Sequence, residues 1–273
     1  MTDVVTARVH IGTQGWSYPD WSGPFYPEGT PSSRYLAFYA RAFSTVEVDS
    51  SFYAIPPASH FIGWHERTPE GFRFALKLPG ELTHERRLRG GDEVLKTFCK
   101  RAELLGERLG VILVQLPPDF TPDERGALEA FVKRLPGDIR FAVEFRHPDW
   151  LDERTYDGLR VAGVGHALSA GPWIPLERVM TAARQPTAEF SYFRWLGDRP
   201  HLTGYTHTQI DRSTEIGDWA KLLLELSDQV REIYGFFNNH YEGHSPASAR
   251  RLLRQLGQPV IDPDELNPQL SLF

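Results

Sequence analysis

The stretch from Val111 to Phe145, VILVQLPPDFTPDERGALEAFVKRLPGDIRFAVEF, contains two apolar runs separated by a helix signal. It opens with an apolar run, Val111–Leu116, which is typical of a strand buried on both faces of a parallel sheet. Thr121-Pro122-Asp123-Glu124 then predicts the start of a helix, with a capping Thr, a Pro at the first helical position and a Glu at the third. An apolar stripe at helical spacing runs up to Pro136-Gly137, and a second apolar run follows at Phe141–Phe145. Together they make one strand-helix-strand unit.

The same alternation recurs along the whole chain. Eight apolar runs rich in β-branched and aromatic residues follow one another at spacings of roughly 25 to 45 residues, close to the length of one strand-helix-strand unit. The predicted strands lie near Val9–Gly12, Thr45–Val48, Phe72–Leu78, Val111–Leu116, Phe141–Phe145, Val164–Leu168, Phe190–Trp195 and Ile233–Phe237. Helix-periodic stretches lie between them, for example from Asp92 to Arg108 and from Ser245 to Gly257.

Eight alternations without a linker or an internal repeat predict an α/β fold, a single (β/α)8 TIM-like barrel over residues 1–262. An open, doubly wound sheet is the alternative. Against it, the turn Gly12-Thr13-Gln14-Gly15-Trp16 lacks the third glycine of a dinucleotide fingerprint and is not followed by a helix signal. We therefore expect a barrel, with residues 263–273 as a separate C-terminal tail.

The composition describes an ordinary soluble protein with 41% hydrophobic residues, 24% charged residues and a formal net charge of −6. No apolar run approaches the ~20 residues of a membrane helix, and Met1-Thr2-Asp3-Val4 lacks the plan of a signal peptide, so we expect a cytoplasmic protein without membrane contact. The single Cys99 excludes an internal disulfide framework, and its helix-periodic position is typical of a core residue. An acidic chain cannot coat nucleic acid, so contact with a polyanion requires a local basic groove.

Polar side chains at the carboxyl ends of the strands are the candidates for a site, because that end of a barrel carries the chemistry. They are Gln14, Trp16, Tyr18, Glu47, Asp49, Tyr53, Lys77, Gln115, Glu144, Arg146, His147, Ser169, Arg194, Asn238, Asn239 and His240. Glu47 and Glu144 alternate with apolar neighbours, so both point into the barrel if those neighbours pack against the helices. They either carry out acid/base catalysis or hold a metal ion, or each forms a buried pair with a cation such as Lys77 or Arg146. The predicted catalytic residues are Glu47, Glu144 and His147.

The mouth of the barrel is predicted to be locally positive and to bind an anion, because Arg binds phosphate or carboxylate in a bidentate way. The predicted ligand-binding residues are Trp16, Tyr18, Lys77, His84, Gln115, Arg146, Arg194, Asn238 and Asn239. The aromatic loop that contains Trp16 and Tyr18 either stacks on a ligand or packs on the barrel. Asp149 is predicted to cap a helix. The cofactor is unknown: a divalent metal stays open, but His240 and His244 lie in a predicted loop and form no clear ligand set.

Five stretches of the sequence resemble the domain of unknown function 72 family, in order and over almost the whole chain. They are Gly12–Tyr18 with Trp21 and Phe25-Tyr26-Pro27, Phe43–Tyr53, Leu113–Pro118, Glu144-Phe145-Arg146-His147 with Trp150, and Phe237-Asn238-Asn239. The resemblance implies a TIM-like barrel and brings no agreed activity. Ser169 stands where the family tends to carry an Asp, and Leu196 where it tends to carry a His. These departures weaken any mechanism that needs a full acid/base or metal set.

The C-terminal pentapeptide Gln269-Leu270-Ser271-Leu272-Phe273 resembles the bacterial sliding-clamp-binding motif of polymerases and repair proteins. Leu272 and Phe273 would fill an apolar pocket on the clamp while Gln269 contacts its rim. The predicted partner-binding residues are Gln269, Leu270, Leu272 and Phe273, and the alternative is a tail that packs back on its own barrel.

The leading hypothesis is a barrel that binds or acts on a phosphate-bearing substrate, for instance as a phosphodiesterase- or nuclease-like hydrolase. The substrate would be nucleic acid in DNA repair or replication, and the tail would recruit the protein to the DNA polymerase sliding clamp. The alternatives are an enzyme of small anionic metabolites such as sugar phosphates, and a non-catalytic binding module.

Overall fold

The computed structural model describes residues 6–198 and 202–266, and its eight apolar runs form eight strands. The strands are β1 (Arg8–Gln14), β2 (Thr45–Val48), β3 (Arg73–Lys77), β4 (Leu109–Gln115), β5 (Phe141–Glu144), β6 (Gly165–Ala170), β7 (Phe190–Trp195) and β8 (Glu232–Phe237). Each pairs in parallel with the next, and β1 pairs with β8, so the sheet closes into a barrel. The predicted TIM-like barrel is confirmed, and every predicted run overlaps its strand.

Helices follow the strands and cover the outside of the barrel. They are α1 (Tyr35–Ala42), α2 (Ala58–Glu66), α3 (Asp92–Ala102), α4 (Arg125–Val132), α5 (Glu153–Ala162), α6 (Leu176–Ala183), α7 (Ser213–Leu226), α8 (Asn239–Glu242), α9 (Ser245–Gln255) and α10 (Pro263–Leu266). The helix predicted from Asp92 to Arg108 ends earlier, at Ala102, and continues as a 3-10 segment in which Gly106 has non-helical backbone angles. Only glycine tolerates such a break easily, because it lacks a Cβ.

The two predicted helix caps fare differently. Thr121 occupies the predicted N-cap position, with Pro122 at the first helical position, but the helix begins as a 3-10 turn, Pro122–Glu124, ahead of α4, and the Thr121 side chain makes no capping hydrogen bond. The Asp149 prediction is wrong: its backbone N–H donates to His147 Nδ1. The cap of α5 is Asp152, whose Oδ1 accepts from the Thr155 N–H at 2.6 Å.

Two hydrophobic layers lie on either side of the sheet. The outer layer packs the helices against outward side chains such as Val46, Val48 and Val143, and it includes Cys99 as predicted. The inner layer fills the barrel with Ala75, Val111, Leu113, Ala142, Ala167, Phe190, Tyr192, Tyr234 and Phe236. Small side chains from β3, β5 and β6 face aromatic side chains from β7 and β8, so the interior is a packed core and not a pore.

Charged and polar side chains close the amino-terminal end of the barrel. Arg140 Nη1 lies 2.8 Å from Glu232 Oε2, and its Nη2 donates to the Tyr234 hydroxyl at 3.1 Å. The ring of His10 stacks on Tyr234 with a centroid separation of 4.8 Å.

The described chain stays on the barrel up to its last residue, beyond the predicted tail boundary. Leu266 in α10 belongs to the outer hydrophobic layer, and Asp262, just before α10, pairs with Arg254 of α9. The clamp-binding residues Gln269, Leu270, Leu272 and Phe273 lie outside the described residues, so docking to a clamp stays a prediction. No helix of the described part is long and apolar enough to span a bilayer.

Candidate functional site

A charge layer crosses the barrel near the carboxyl ends of the strands, and Arg194 is its centre. Glu47, Glu144 and Arg194 enter from β2, β5 and β7 because each alternates with outward-facing neighbours. Arg194 Nε and Nη2 donate to Glu47 at 2.9 Å and 2.7 Å, and its Nη1 donates to Glu144 Oε2 at 2.7 Å. The Tyr192 hydroxyl donates a further hydrogen bond to Glu47 Oε2 at 2.6 Å. The inward orientation of both carboxylates is as predicted, but the cation that pairs with Glu47 is Arg194 rather than Lys77 or Arg146.

Burial and neighbouring charges shift the pKa values of Glu47 and Glu144 in opposite directions. Burial raises the pKa of Glu47 to about 7, although Arg194 opposes the shift. Burial would also raise the pKa of Glu144, but the guanidinium groups of Arg194 and Arg146 outweigh it and bring this pKa to about 2. The two guanidinium groups therefore hold Glu144 in its ionised form, whereas burial opposes the charge of Glu47.

A cavity of about 380 Å³ opens above the charge layer at the barrel mouth. Its lining combines cations, carboxylates, amides and aromatic side chains. The lining residues are Gln14, Asp49, Tyr53, Lys77, Arg146, Pro172, Trp173, Arg194, Leu196, Gly197, Asp198, Asn238 and His240. Glu47 and Glu144 are not among them, because both lie fully buried beneath this surface.

Lys77, the last residue of β3, faces this cavity without a counter-charge in contact. Its Nζ lies 3.9 Å from the ring centroid of Phe52, and across the described ranges no carboxylate oxygen lies within 4.0 Å of it. Burial, assisted by the positive charge of Arg194, lowers the pKa of Lys77 to about 8. In the physiological pH range most Lys77 side chains are therefore protonated, and a minority carry a neutral amine.

Arg146 presents a partly uncommitted guanidinium group. Its Nε donates to Glu144 Oε1 at 2.9 Å, and the guanidinium carbon lies 3.6 Å from the ring centroid of Trp173. No described residue accepts a hydrogen bond from Nη1 or Nη2 of Arg146. The edge opposite Glu144 is therefore available to a ligand.

The predicted positive charge at the mouth is local and is not a net excess. The three cations Lys77, Arg146 and Arg194 face Asp49 and Asp198 in the cavity lining and the two buried Glu residues beneath it. Arg194 itself is only 3% exposed and donates to Asp49 and to both Glu residues, so it supports the site instead of holding a ligand through free donors. Positive charge is left locally, at Lys77 and Arg146.

Other predicted ligand-binding residues lie beside the cavity and serve the fold. Asn239 Oδ1 accepts from Ser245 and from Trp21 Nε1, and Gln115 Nε2 donates to the Leu116 carbonyl. His84 contacts Thr83, Gln115 and the Phe52 ring; burial, and next Lys77, lower its pKa to about 4.

The aromatic loop after β1 follows the packing alternative. Trp16 lies edge-on to Trp64, and Tyr18 packs on Trp21 while donating to the Gln14 carbonyl. His147, predicted as catalytic, instead accepts from the backbone of Asp149 and is not part of the cavity lining.

Asn238 joins Lys77 and Arg146 as a predicted ligand-binding residue that lines the cavity. Its Nδ2 donates to Gln14 Oε1 at 2.8 Å. The other amide atom of Gln14, the buried Nε2, has no acceptor in the described part of the chain. Sequence reasoning noted Gln14, Asp49, Tyr53 and His240 as polar strand-end residues but assigned them no role. It missed Trp173 and Asp198, whose only signal is their place in the loops after β6 and β7.

The described residues contain no group of three His, Cys, Asp or Glu side chains that would hold a metal ion. The two buried carboxylates face Arg and Tyr donors, which occupy the oxygen atoms that a cation would need. The residues present do not form a metal site.

Comparisons with known proteins identify relatives over almost the whole chain. The family model described as "Protein of unknown function DUF72" matches residues 10–270. The UPF0759 protein YunF of Bacillus subtilis is 30% identical over 291 aligned residues, which cover 97% of this chain and 100% of that protein. The UPF0759 protein YecE of Escherichia coli K12 is 35% identical over 165 residues, and this match spans 59% of the chain and only 58% of the relative.

Solved structures share the same barrel. A DUF72 family protein from Thermotoga maritima superposes with a TM-score of 0.76 at 29% identity, covering 92% of this chain and 100% of that chain. A DUF72 family protein from Enterococcus faecalis gives a TM-score of 0.73 at 20% identity, over 93% of this chain and 100% of that chain. At that identity the second likeness shows the fold alone.

Proposed function

The chain belongs to the DUF72 family, and we propose that the cavity at its barrel mouth binds a small ligand through a phosphate or carboxylate group. The observation that carries the proposal is the pair of cations above the charge layer. Among the described residues Lys77 has no paired carboxylate, and the Nη atoms of Arg146 have no acceptor. Both side chains are half-buried and keep unused donors, so an anion in the cavity would stabilise both.

Neutral donors support the same ligand chemistry. Gln14 Nε2 is a buried amide nitrogen without an acceptor among the described residues, and it belongs to a residue that lines the cavity. An anionic oxygen would satisfy it. Trp173, already stacked on Arg146, and the 85% exposed Tyr53 offer apolar faces for the rest of the ligand.

The size of the cavity favours a small molecule over an extended polyanion. Its volume of about 380 Å³ lies in the ordinary range of small-molecule sites. An enzyme or binding protein for a small anionic metabolite, such as a sugar phosphate, therefore fits the geometry better than a duplex-binding groove. Where the ligand is also a substrate, Asp49 is the half-buried carboxylate that can exchange a proton with it, because Glu47 and Glu144 are enclosed.

A role on nucleic acid in DNA repair or replication is the second candidate, favoured by the C-terminal pentapeptide Gln269–Phe273. In that case the phosphate in the cavity belongs to a single nucleotide unit, and docking to a sliding clamp brings the acidic chain to DNA. Cleavage assays on abasic, nicked and single-stranded DNA, with sugar phosphates in parallel, separate the two candidates.

We predict that Lys77→Met and Arg146→Met each weaken binding of inorganic phosphate and of a sugar phosphate by about tenfold to a hundredfold. The reason is the loss of one charge-assisted contact, worth about 1.5–3 kcal/mol. Isothermal titration calorimetry measures the effect. Lys221→Met is the matched control, because Lys221 is exposed on α7 and pairs only with Asp218. Equal affinity in all variants, at unchanged melting temperature, would contradict the proposal.

The pH dependence of the same binding tests the role of Lys77. A lysine whose pKa is near 8 keeps its charge below that pH and loses it above, so affinity falls as the pH rises from 8 to 10. The decline is expected in the native chain and absent in Lys77→Met, whose binding is already weak.

A further inference from the structure

Lysine is rare in this chain, and Lys77 is the one lysine at the barrel mouth. Five of the 30 basic residues are lysines, at positions 77, 96, 100, 133 and 221. The other four are exposed on or at the ends of helices outside the barrel. Arginine would bind an anion at least as well, because it is always charged and bidentate. Lysine differs in one respect: it can lose its proton and act as a nucleophile.

The surroundings of Lys77 are those that activate an amine. Its Nζ lies over the Phe52 ring, and no carboxylate of the described residues is in contact with it. The positive charge of Arg194 is close enough to lower the Lys77 pKa. Burial and the neighbouring Arg194 cation disfavour the ammonium form, and together they outweigh the Phe52 ring and the nearby carboxylates, which favour it. Compared with an exposed lysine, the neutral fraction at pH 7.5 is roughly a hundredfold larger.

We propose that Lys77 forms an imine with a small anionic aldehyde or ketone held in the cavity at the barrel mouth. This inference rests on the proposed function, since Arg146 and Gln14 are then the groups that hold the anionic end of the ligand. The substrate class is a carbonyl compound that carries a carboxylate or a phosphate, such as a 2-oxo acid or a phosphorylated sugar in its open form.

The step is balanced without any further reactant. The Nζ lone pair attacks the carbonyl carbon, a C–N bond forms, and the carbonyl oxygen takes up the proton that nitrogen gives up. The nitrogen lone pair then forms the C=N bond as the C–O bond breaks, and the hydroxyl group leaves as water by taking the second proton from nitrogen. Two described carboxylates line the cavity, Asp49 and Asp198, and only Asp49 is close enough for its charge to act on Lys77. Asp49 is therefore the group that would relay the proton from nitrogen to oxygen.

Reductive trapping on the full chain tests the imine. The chain is incubated with pyruvate in one arm and with glyceraldehyde 3-phosphate in the other, each with sodium cyanoborohydride, and is then analysed by intact mass and peptide mapping. We expect one adduct per chain, on Lys77, at least tenfold faster than on any exposed lysine. The two arms distinguish the carboxylate-bearing class from the phosphate-bearing class.

Matched variants make the outcome decisive. Lys77→Arg keeps a positive charge but has no nucleophilic amine, so the fast adduct disappears, whereas Lys221→Arg leaves it unchanged. Adducts spread evenly over the exposed lysines, while phosphate still binds the native chain, would overturn the imine and leave the proposed function standing. If the native chain binds neither phosphate nor the carbonyl probes, the proposed function itself fails.

Discussion

Arg194 is the side chain that connects the buried charges of the site. It ties Glu47 of β2 to Glu144 of β5 across the barrel, with all three side chains buried. Removing one partner of a buried ion pair leaves an uncompensated charge in a medium of low polarity. The charge layer therefore depends on Arg194 more than on either carboxylate.

We expect Arg194→Met to lower the free energy of unfolding by at least about 3–5 kcal/mol, because it strands two buried carboxylates. Chemical denaturation followed by circular dichroism measures the loss. Arg231→Met is the control: its pair with Glu189 has side chains 80% and 73% exposed, and the expected change is within about 0.5 kcal/mol. Similar losses in the two variants would show that the charge layer is not held as described.

For individual site residues, the sequence predicted the direction of a side chain better than its partners. Alternation along a strand predicted that Glu47 and Glu144 point inward, because side chains alternate between faces with a period of two. The sequence also indicated Arg146 as a partner, and Arg146 does pair with Glu144. It did not predict their shared partner, since Arg194 lies far along the chain and meets them only when the barrel closes. Trp173 and Asp198 lie in loops whose path no periodic pattern fixes, so the cavity wall they form was missed.

At the scale of elements, the loop after β7 is held against the turn that begins α8. Gly197 adopts a φ of +76°, and a Cβ placed on it would lie 2.7 Å from the His240 carbonyl carbon and 2.9 Å from Tyr241 Cα. Backbone atoms cannot move aside as a flexible side chain can. This contact brings two loops of the cavity wall together.

Gly197→Ala is expected to cost more than about 3 kcal/mol of stability and to weaken phosphate binding, because both the backbone angle and the close approach are violated. Gly90→Ala separates the two causes. Its φ of +64° is similar, but nothing lies within 4 Å of its Cβ position, so only the backbone term of about 1–2 kcal/mol remains. Thermal melts of both variants give the comparison, and equal losses would rule out the proposed clash.

At the scale of the whole molecule, the sequence was most informative about architecture. Eight buried parallel strands need near-continuous apolar runs, and these are visible without knowledge of the contacts. Helix ends were less certain: Thr121 lies at the predicted helix start but makes no side-chain capping bond, and His147 instead of Asp149 lies at the other start. Cap geometry depends on how the chain leaves the strand, which residue type alone does not determine.

The predicted docking of the C-terminal pentapeptide on a sliding clamp concerns the location of the whole protein in the cell. Deletion of residues 269–273 is expected to abolish binding to a purified bacterial sliding clamp, measured by surface plasmon resonance, since Leu272 and Phe273 would be the anchors. Ser271→Ala, which changes no apolar contact, serves as the control. Undiminished binding after the deletion, or no binding by the native chain, would refute the docking role.

The aromatic filling of the inner layer has a consequence for how such a protein changes over evolutionary time. Phe190, Tyr192, Tyr234 and Phe236 occupy the barrel below the charge layer, so a ligand can enter only from one end and only to a limited depth. Its anionic group meets a deep part of the molecule that also maintains stability, while the rest of the ligand meets exposed loop positions such as Tyr53. Mutation at such exposed positions can change selectivity at little cost in stability, unlike mutation at packed loop positions such as Gly197.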